Sequence, residues 1–274
     1  MKKHTSLFSL LALCLLLTAF VPFKKKVVKV YLIGDSTMAD YTGDYDTGDY
    51  MLTRYPLAGW GQVFQPFMSV DSLKQLRHLI KGDSVQVLDK ARGGRSTRTF
   101  FEEGRWAGVH KALQKNDVVM IQFGHNDAAE SKPDRYVNIT GYKEYLRLYV
   151  NQTREKGATP ILLTPVNRNY PWDNGQLGNA HGDYPKAMKE VAQELNVQLI
   201  DLTQLSINHF TAKGKDYVTD NYFMNLPAGK YKAYPEGLKD NTHFQPEGAK
   251  AVAQLVFNGM KNLKQSNGTA SSRE

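Results

Sequence analysis

The chain has almost no cysteine and little clustered basic charge, and both absences narrow what it can be. Its one cysteine, Cys14, falls within an apolar N-terminal segment, so the rest of the 274 residues cannot form a disulfide bond within the chain. The formal net charge of +8 drops to +3 once the five lysines of residues 1–26 are set aside, and neither a long basic run nor a nucleic-acid-binding motif follows. We therefore expect a domain that is stabilised by its own hydrophobic core and that binds no nucleic acid.

The composition and the continuity of the pattern also restrict the class of protein. A hydrophobic fraction of 41% with 23% charged residues is typical of a soluble globular chain and excludes a disordered, collagen-like or multi-span membrane protein. No internal repeat and no linker interrupts residues 27–265. We expect a single domain there, followed by a disordered polar tail at residues 266–274.

The first 26 residues have the pattern of an export signal. Lys2, Lys3 and His4 precede an apolar run from Leu7 to Phe23, like the charged and apolar regions of a secretory signal peptide. The run is short for a membrane span, which needs about 20 residues, but no A-x-A-like cleavage site follows it, so an uncleaved membrane anchor remains an alternative. Both alternatives place the rest of the chain in the periplasm or outside the cell.

From Val27 onward, short β-branched runs alternate with helical patterns, which favours a parallel α/β fold. The predicted strands are nearly continuous apolar runs, as expected where helices cover both faces of a sheet: Val27–Ile33, Val85–Asp89, Val118–Phe123, Pro160–Thr164 and Gln198–Asp201. The predicted helices are Val109–Lys115, Gly141–Lys156, Asp183–Leu195 and Pro246–Leu263. We expect a three-layer α/β/α sandwich with a five-stranded parallel sheet. Two stretches, Tyr41–Tyr55 and Ala212–Gly237, are predicted to be long surface loops.

Polar blocks follow three of the predicted strands, at the sheet edge where ligands of open α/β sheets bind. Ser36 lies in the turn after the first strand and is a candidate nucleophile. Gly94 follows the second strand and Asn126 the third, and a backbone amide and a side-chain amide there could donate hydrogen bonds to a developing negative charge. Taken singly, each block is equally well explained as an ordinary turn or helix cap.

A fourth block precedes the last predicted helix. Asp240 stands three residues before His243, a spacing at which a carboxylate can fix the tautomer of an imidazole base. The Gly124–Asp127 block superficially resembles a metallophosphoesterase signature, but its residue order is wrong and no Asp-x-His precedes it, so we expect no metal site.

The four blocks together resemble those of the SGNH (GDSL-type) hydrolase superfamily. Further stretches look most like its rhamnogalacturonan acetylesterase branch, carbohydrate esterase family 12: Gly34–Ala39, Gly59–Gln62, Gly94–Ser96 with Glu103–Trp106, and His181–Pro185. The resemblance implies a flavodoxin-like fold and no cofactor. It also implies roles for the following residues: Ser36 as nucleophile, His243 as base and then acid, Asp240 as the group that orients His243, and the Ser36 amide, the Gly94 amide and the Asn126 side chain as oxyanion donors.

Three residues are predicted to contact substrate. Trp60 could stack on a sugar ring, although packing in the core is the usual role of a tryptophan. His181 lies at the start of a predicted helix within one of the acetylesterase-like stretches. Arg95 belongs to a group of arginines that could form a positive rim for a polygalacturonate-like anion or simply lie on solvated helix faces: Arg92, Arg95, Arg98, Arg105 and Arg168.

The predicted function is therefore that of an exported serine esterase that deacetylates a plant cell-wall polysaccharide, with rhamnogalacturonan of pectin as the first choice. The preference for acetyl groups and for this polymer rests on the resemblance alone. Two alternatives remain open. One is another acylesterase of the superfamily, such as a xylan acetylesterase or a lysophospholipase, and the other is a carbohydrate-binding protein that has lost turnover. The sequence does not indicate an oligomeric state.

Overall fold

A five-stranded parallel sheet lies at the centre of the computed structural model, which describes residues 26–43 and 48–263. The strands of the described chain are β1 (Val27–Gly34), β2 (Ser84–Asp89), β3 (Val118–Gln122), β4 (Thr159–Leu163), β5 (Trp172–Asp173), β6 (Gln176–Leu177), β7 (Gln198–Ile200), β8 (Phe223–Leu226) and β9 (Leu238–Phe244). In the central sheet the order is β2-β1-β3-β4-β7, and every neighbouring pair is parallel. The five predicted strands are confirmed to within one residue at each end.

Helices cover both faces of this sheet. They are α1 (Tyr50–Thr53), α2 (Val70–Leu73), α3 (Thr97–Glu102), α4 (Arg105–Ala112), α5 (Ile139–Glu155), α6 (Tyr184–Glu194), α7 (Leu202–Lys213), α8 (Lys215–Asn221) and α9 (Pro246–Asn262). Several begin at residues that suit a helix start: the Asn138 side chain accepts a hydrogen bond from the Gly141 amide at α5, Ser96 and Thr99 form a capping box at α3, and α9 starts with Pro246.

The alternation of side chains along β1 divides the core into two layers. Val28, Val30 and Leu32 point to one face and pack with α7, α9 and the segment from residue 57 to residue 80. Tyr31 and Ile33 point to the other face and pack with α3, α4, α5 and α6. These two core layers, one on each face of the sheet, confirm the three-layer sandwich. Each buried aliphatic side chain in them contributes about 1.5–3 kcal/mol to the free energy of folding.

The strand order reverses between β1 and β3, because the chain leaves β1 towards β2 on one side and returns to β3 on the other. In doubly wound sheets this reversal opens a crevice at the carboxyl ends of the two strands, and ligands bind there. The order observed is that of the flavodoxin-like fold named in the sequence analysis. The segments that follow β1, β2 and β3 therefore meet at one edge of the sheet.

Three of the predicted helices agree closely with the structure, the fourth is shifted by three to four residues, and each of the two predicted loops contains a helix, α1 in Tyr41–Tyr55 and α8 in Ala212–Gly237. The helix predicted at Val109–Lys115 is α4, which begins at Arg105 because Gly104, in a left-handed conformation, starts a new turn there. The predicted loop Ala212–Gly237 contains α8 and strand β8. Strand β8 pairs with β9, the next strand along the chain, in an antiparallel hairpin.

Some predictions concern residues that the structure does not describe. The apolar run from Leu7 to Phe23 and the tail at residues 266–274 both lie outside the described ranges. Within residues 26–43 and 48–263, none of the helices has the length and apolar character that a membrane crossing needs.

Candidate active site

The segments after β1, β2 and β3 line one side of a cavity of about 590 Å³, and the end of β9 lines the other. Ser36, Gly94 and Asn126 come from the first three strands, and His243 comes from β9. The cavity therefore brings together four of the residues that the sequence analysis singled out. The position of His243 on a strand was not expected, since the fourth block was placed only before the last helix.

A continuous line of hydrogen bonds joins the serine, the histidine and the aspartate. His243 Nε2 lies 2.8 Å from Ser36 Oγ, and His243 Nδ1 lies 2.6 Å from Asp240 Oδ2. Ser36 is nearly buried, with 9% of its surface exposed, so its hydroxyl faces little competing water. This geometry lets the imidazole take a proton from the hydroxyl while the carboxylate holds the opposite ring nitrogen.

The backbone of β9 fixes the Asp240 carboxylate in place. Its Oδ1 atom accepts hydrogen bonds from the amides of Thr242 at 2.7 Å and His243 at 3.1 Å. Burial raises the pKa of the Asp240 carboxyl, but the hydrogen bond and the charge of His243, together with these amides, lower the pKa by more. The pKa is lower than the ordinary value as a result, and the group is an anion at neutral pH.

The turn that carries Ser36 is held by a buried network. Asp35 Oδ1 accepts hydrogen bonds from the Thr37 amide at 2.9 Å and the Thr37 hydroxyl at 2.8 Å. Gln122 Nε2 donates to the same hydroxyl at 2.8 Å, and the Tyr41 hydroxyl donates to the Ser36 carbonyl at 2.8 Å. The candidate nucleophile Ser36 is thus held in place by hydrogen bonds on both sides of its turn.

Trp60 belongs to this network and is not a sugar platform. Its indole is fully buried, with 0% of its surface exposed, and Nε1 donates a hydrogen bond to Gln122 Oε1 at 2.8 Å. The prediction that Trp60 contacts substrate is therefore wrong. The stretch Gly59–Gln62 that resembled the acetylesterases instead braces the nucleophile turn, since the amides of Trp60 and Gly61 donate to the carbonyls of Thr37 and Met38.

His181 is also buried behind the cavity wall. Only 2% of its surface is exposed, its Nε2 lies 3.0 Å from the Val166 carbonyl oxygen, and its ring packs edge-to-face against His125 at 4.4 Å. The predicted substrate contact of His181 is corrected accordingly. His125 in turn bonds through Nδ1 to Asp35 Oδ2 at 3.2 Å. Burial, together with the nearby charges of Arg168 and His243, lowers the pKa of His125, and the Asp35 carboxylate only partly opposes this shift, so the imidazole is neutral at neutral pH.

The two candidate oxyanion segments are tied to each other. Asn126 Nδ2 donates a hydrogen bond to the Arg95 carbonyl at 2.9 Å, which leaves the second hydrogen of that amide. Gly94 has a φ of 78°, a conformation that side chains other than glycine rarely adopt. Asp127 Oδ1 accepts from the Thr97 amide at 2.9 Å and from the Thr97 hydroxyl at 2.6 Å. Burial raises the pKa of Asp127 to about 7, although these bonds oppose the shift.

The cavity has a strongly basic lining. Arg95, whose contact with substrate stays a prediction, lines it together with five further cations: Arg54, Arg92, Lys132, Arg135 and Arg168. No aspartate or glutamate is among the described residues that line the cavity. Arg98 and Arg105 do not line it and instead pair with Glu102 and Glu103. The sequence analysis missed Arg54, Lys132 and Arg135, because no local motif surrounds them. Among the described residues, no cluster of three or more His, Cys, Asp or Glu side chains could hold a metal ion.

The comparison with known families agrees with the fold. The model of the GDSL-like lipase/acylhydrolase family matches residues 32–251, which is most of the chain. The chain belongs to this family. The match contains all four blocks, and every described residue that lines the cavity of this acylhydrolase falls within the matched range.

Curated relatives resemble this acylhydrolase over nearly its whole length. A probable rhamnogalacturonan acetylesterase of Bacillus subtilis strain 168, YesY, is 40% identical over 85% of this chain and 93% of its own. The rhamnogalacturonan acetylesterase RhgT of the same strain is 36% identical over 87% of this chain and 92% of its own. Among solved structures, the YxiM protein of Bacillus subtilis is 27% identical with a TM-score of 0.65 over 86% of this chain, which spans 57% of that protein.

Proposed function

We propose that this chain is an exported serine esterase that removes acetyl groups from an acidic cell-wall polysaccharide, with rhamnogalacturonan as the substrate. The observation that carries the proposal is the line of hydrogen bonds from Asp240 through His243 to the Ser36 hydroxyl at the wall of a cavity. The charged and apolar N-terminal segment supports export.

The proposed reaction proceeds in two half-reactions through an acetyl-enzyme. Ser36 Oγ attacks the acetyl carbonyl carbon while His243 Nε2 takes the hydroxyl proton, and Asp240 stabilises the resulting imidazolium. The tetrahedral intermediate collapses with transfer of that proton from His243 to the sugar oxygen, which leaves as an alcohol. Water then attacks the acetyl-enzyme, with His243 again as base, and acetate leaves.

Negative charge on the carbonyl oxygen requires donors that are already in position. The amides of Ser36 and Gly94 and the free N–H of the Asn126 side chain are the proposed donors. The bond from Asn126 to the Arg95 carbonyl supports this role, because it fixes the amide against the segment that carries Gly94. A fixed donor loses little free energy in reorganisation when the charge develops.

The lining of the cavity supports an acidic polysaccharide as the substrate. Six cations without a lining carboxylate attract a polymer that carries uronates more strongly than a neutral acetylated xylan. Leu57 is the one aliphatic side chain among the described lining residues, which gives a long acyl chain of a lysophospholipid little apolar surface. The two relatives named as rhamnogalacturonan acetylesterases support the same choice.

The decisive experiment compares acetate release from acetylated rhamnogalacturonan, acetylated xylan and p-nitrophenyl esters of increasing chain length. We expect the highest kcat/KM on rhamnogalacturonan and a steep fall in rate from acetate to octanoate esters. The Ser36→Ala protein is the blank. Faster turnover of xylan or of octanoate would point to the corresponding alternative esterase. Binding of rhamnogalacturonan without acetate release by the unmodified protein would favour the carbohydrate-binding alternative.

A further inference from the structure

The cations that line the cavity differ in what balances their charge. Arg95 Nε lies 3.0 Å from Glu103 Oε2, and Arg135 Nε lies 3.2 Å from Asp134 Oδ2. Arg168 differs, because among the described residues its hydrogen-bond partners are neutral. Its Nη2 donates to the His125 carbonyl oxygen at 3.2 Å and its Nη1 to the Tyr170 hydroxyl.

Arg168 is also partly removed from water. Its side chain is half-buried, and Nε is a buried donor without a hydrogen-bond partner in the described structure. A desolvated guanidinium that lacks a counter-ion costs free energy, and a bound anion would offset that cost. Lys132 in the same cavity differs in this respect, because it is exposed and its ammonium group is hydrated.

Neutral hydrogen-bond partners alone do not mark an arginine as an anion-binding residue. Arg154, which has such partners too, shows that burial and position also matter. Arg154 also donates to two carbonyls, those of Leu195 and Asn196, at 2.9 and 3.0 Å. It is exposed at the end of α5 and does not line the cavity, so water balances its charge. Arg168 is held in the same manner, but it faces the proposed catalytic centre.

The surroundings of Arg168 place it beside the reacting groups. The carbonyl that it contacts is that of His125, the residue before Asn126. The next residue, Asn169, donates its amide hydrogen to the Asn241 carbonyl of β9 at 2.9 Å, two residues before His243. Arg168 is therefore fixed between the oxyanion segment and the strand that carries the base, and little conformational entropy is lost when it binds an anion.

An exposed aromatic ring adjoins the guanidinium. Tyr170 is 40% exposed, and the Cζ atom of Arg168 lies 5.7 Å from the centre of its ring. A guanidinium binds a carboxylate through two parallel hydrogen bonds, and a tyrosine ring offers a face to the apolar side of a sugar. A hexuronate, which is a sugar ring that carries a carboxylate, fits this pair of groups.

We propose that Arg168 and Tyr170 form a uronate subsite, in which Arg168 binds the carboxylate of a sugar close to the acetylated one. This inference rests on the proposed function and adds to it the residues that select an acidic polymer. The Asp35 carboxylate does not satisfy Arg168, because its oxygens bond to Thr37 and His125. Arg168 is thus a specificity-determining residue and takes no part in proton transfer.

The test compares Arg168→Gln with Arg154→Gln as the matched control. The substrates are acetylated rhamnogalacturonan and the same polymer with its uronates methyl-esterified, which removes their charge. We expect Arg168→Gln to raise KM on the acidic polymer by about 10-fold or more relative to its effect on the esterified polymer, since hydrogen bonds to charged groups have this magnitude. The Arg154→Gln protein should match the unmodified protein within about twofold on both polymers.

A second readout does not depend on polymer turnover. Oligogalacturonate should inhibit the hydrolysis of p-nitrophenyl acetate competitively, and Arg168→Gln should raise its inhibition constant by about 10-fold or more. Rescue by Arg168→Lys should be partial, because an ammonium group lacks the planar fork. Equal losses on both polymers, or an inhibition constant that does not change, would overturn the uronate subsite. The unmodified protein could deacetylate neither polymer while oligogalacturonate still inhibits its hydrolysis of p-nitrophenyl acetate in a manner that depends on Arg168. In that case the proposed function fails and the uronate subsite stands.

Discussion

Single side chains determine the chemistry of this site, and the Ser36 hydroxyl is the one on which the proposed reaction depends most. It lies 2.8 Å from His243 Nε2, and a serine hydroxyl is a weak nucleophile without such a base. Ser36→Ala should therefore lower kcat on p-nitrophenyl acetate by several orders of magnitude and leave the affinity for oligogalacturonate nearly unchanged. Steady-state assays give kcat, and calorimetric titration gives the affinity for oligogalacturonate. Turnover that survives in Ser36→Ala would exclude Ser36 as the nucleophile.

Asn126 provides a second test at the scale of one residue. Removal of a side-chain oxyanion donor costs about 10²–10³ in kcat, and Asn126→Ala should fall in this range with a much smaller change in KM. The variant also loses the bond to the Arg95 carbonyl, so the melting temperature must be measured alongside the rate. A loss in kcat below about tenfold would show that the Asn126 amide does not stabilise the transition state.

At the scale of helices and strands, hydrogen bonds hold the two proposed oxyanion segments in fixed positions relative to each other. The hydrogen bonds from Thr97 to Asp127 Oδ1 join the start of α3 to the segment that follows β3, and the Tyr184 hydroxyl of α6 donates to the Asp127 carbonyl at 3.0 Å. Gly94 precedes Thr97 closely in the chain, and Asn126 precedes Asp127. Asp127 is not among the described residues that line the cavity, so we expect its carboxyl to position both proposed donors without contacting substrate.

Asp127→Ala should lower kcat by about tenfold and change KM little, because misplaced donors affect the transition state more than the ground state. Asp117→Ala is the matched control. Asp117 is also a buried aspartate and accepts hydrogen bonds from the amides of Lys29 and Gln114, but it precedes β3 at the opposite edge of the sheet. The Asp117→Ala substitution should lower the free energy of unfolding by about 1–3 kcal/mol and leave kcat within about twofold of the unmodified value. Equal effects of the two variants on kcat would assign Asp127 a purely structural role.

At the scale of the whole molecule, the burial of Asp127 makes stability depend on pH. Its pKa is about 7 in the folded protein and near 3.8 in the unfolded chain, so the folded state holds a proton that the unfolded state has lost between these values. The contribution of Asp127 to the free energy of unfolding is present in full below pH 3.8. It declines as the pH rises to 7, by about 4 kcal/mol in total.

Asp127→Asn removes this ionisation and nearly preserves the shape. Relative to the unmodified protein, its free energy of unfolding should increase by up to about 4 kcal/mol as the pH rises from 4 to 8, whatever the difference at pH 4. Urea unfolding of both proteins across this pH range measures the difference in their free energies of unfolding. Subtracting one from the other cancels the contributions of titratable groups that the two proteins share. Among these, Asp35 and Asp240 have lowered pKa values and act in the opposite sense, because their stabilisation is lost as the pH falls. A difference that does not vary with pH would contradict the buried, protonated state of Asp127.

Much of the fold was predictable from the sequence because the signals were local. The strands of the central sheet are continuous apolar runs that need no knowledge of their partners, and Asn138 and Pro246 mark helix starts within their own segments. Strand β9 was not predictable in this way. It contains five consecutive polar residues, Lys239–His243, and becomes a strand by pairing with β8, while the bridge between Ala58 and Phe244 fixes its end. Context of this kind overrides local propensity.

The candidate groups of the site and their order along the chain were determined by the sequence alone, because a hydroxyl, an imidazole, a carboxyl and an amide are properties of residue types. Only the tertiary structure decided which side chains reach the cavity. Trp60 and His181 have suitable side chains but are buried in packing that distant segments complete, whereas Arg168 reaches the cavity without a carboxylate partner among the described residues. Exposure and charge balance depend on neighbours that are remote in sequence, and no local pattern records them.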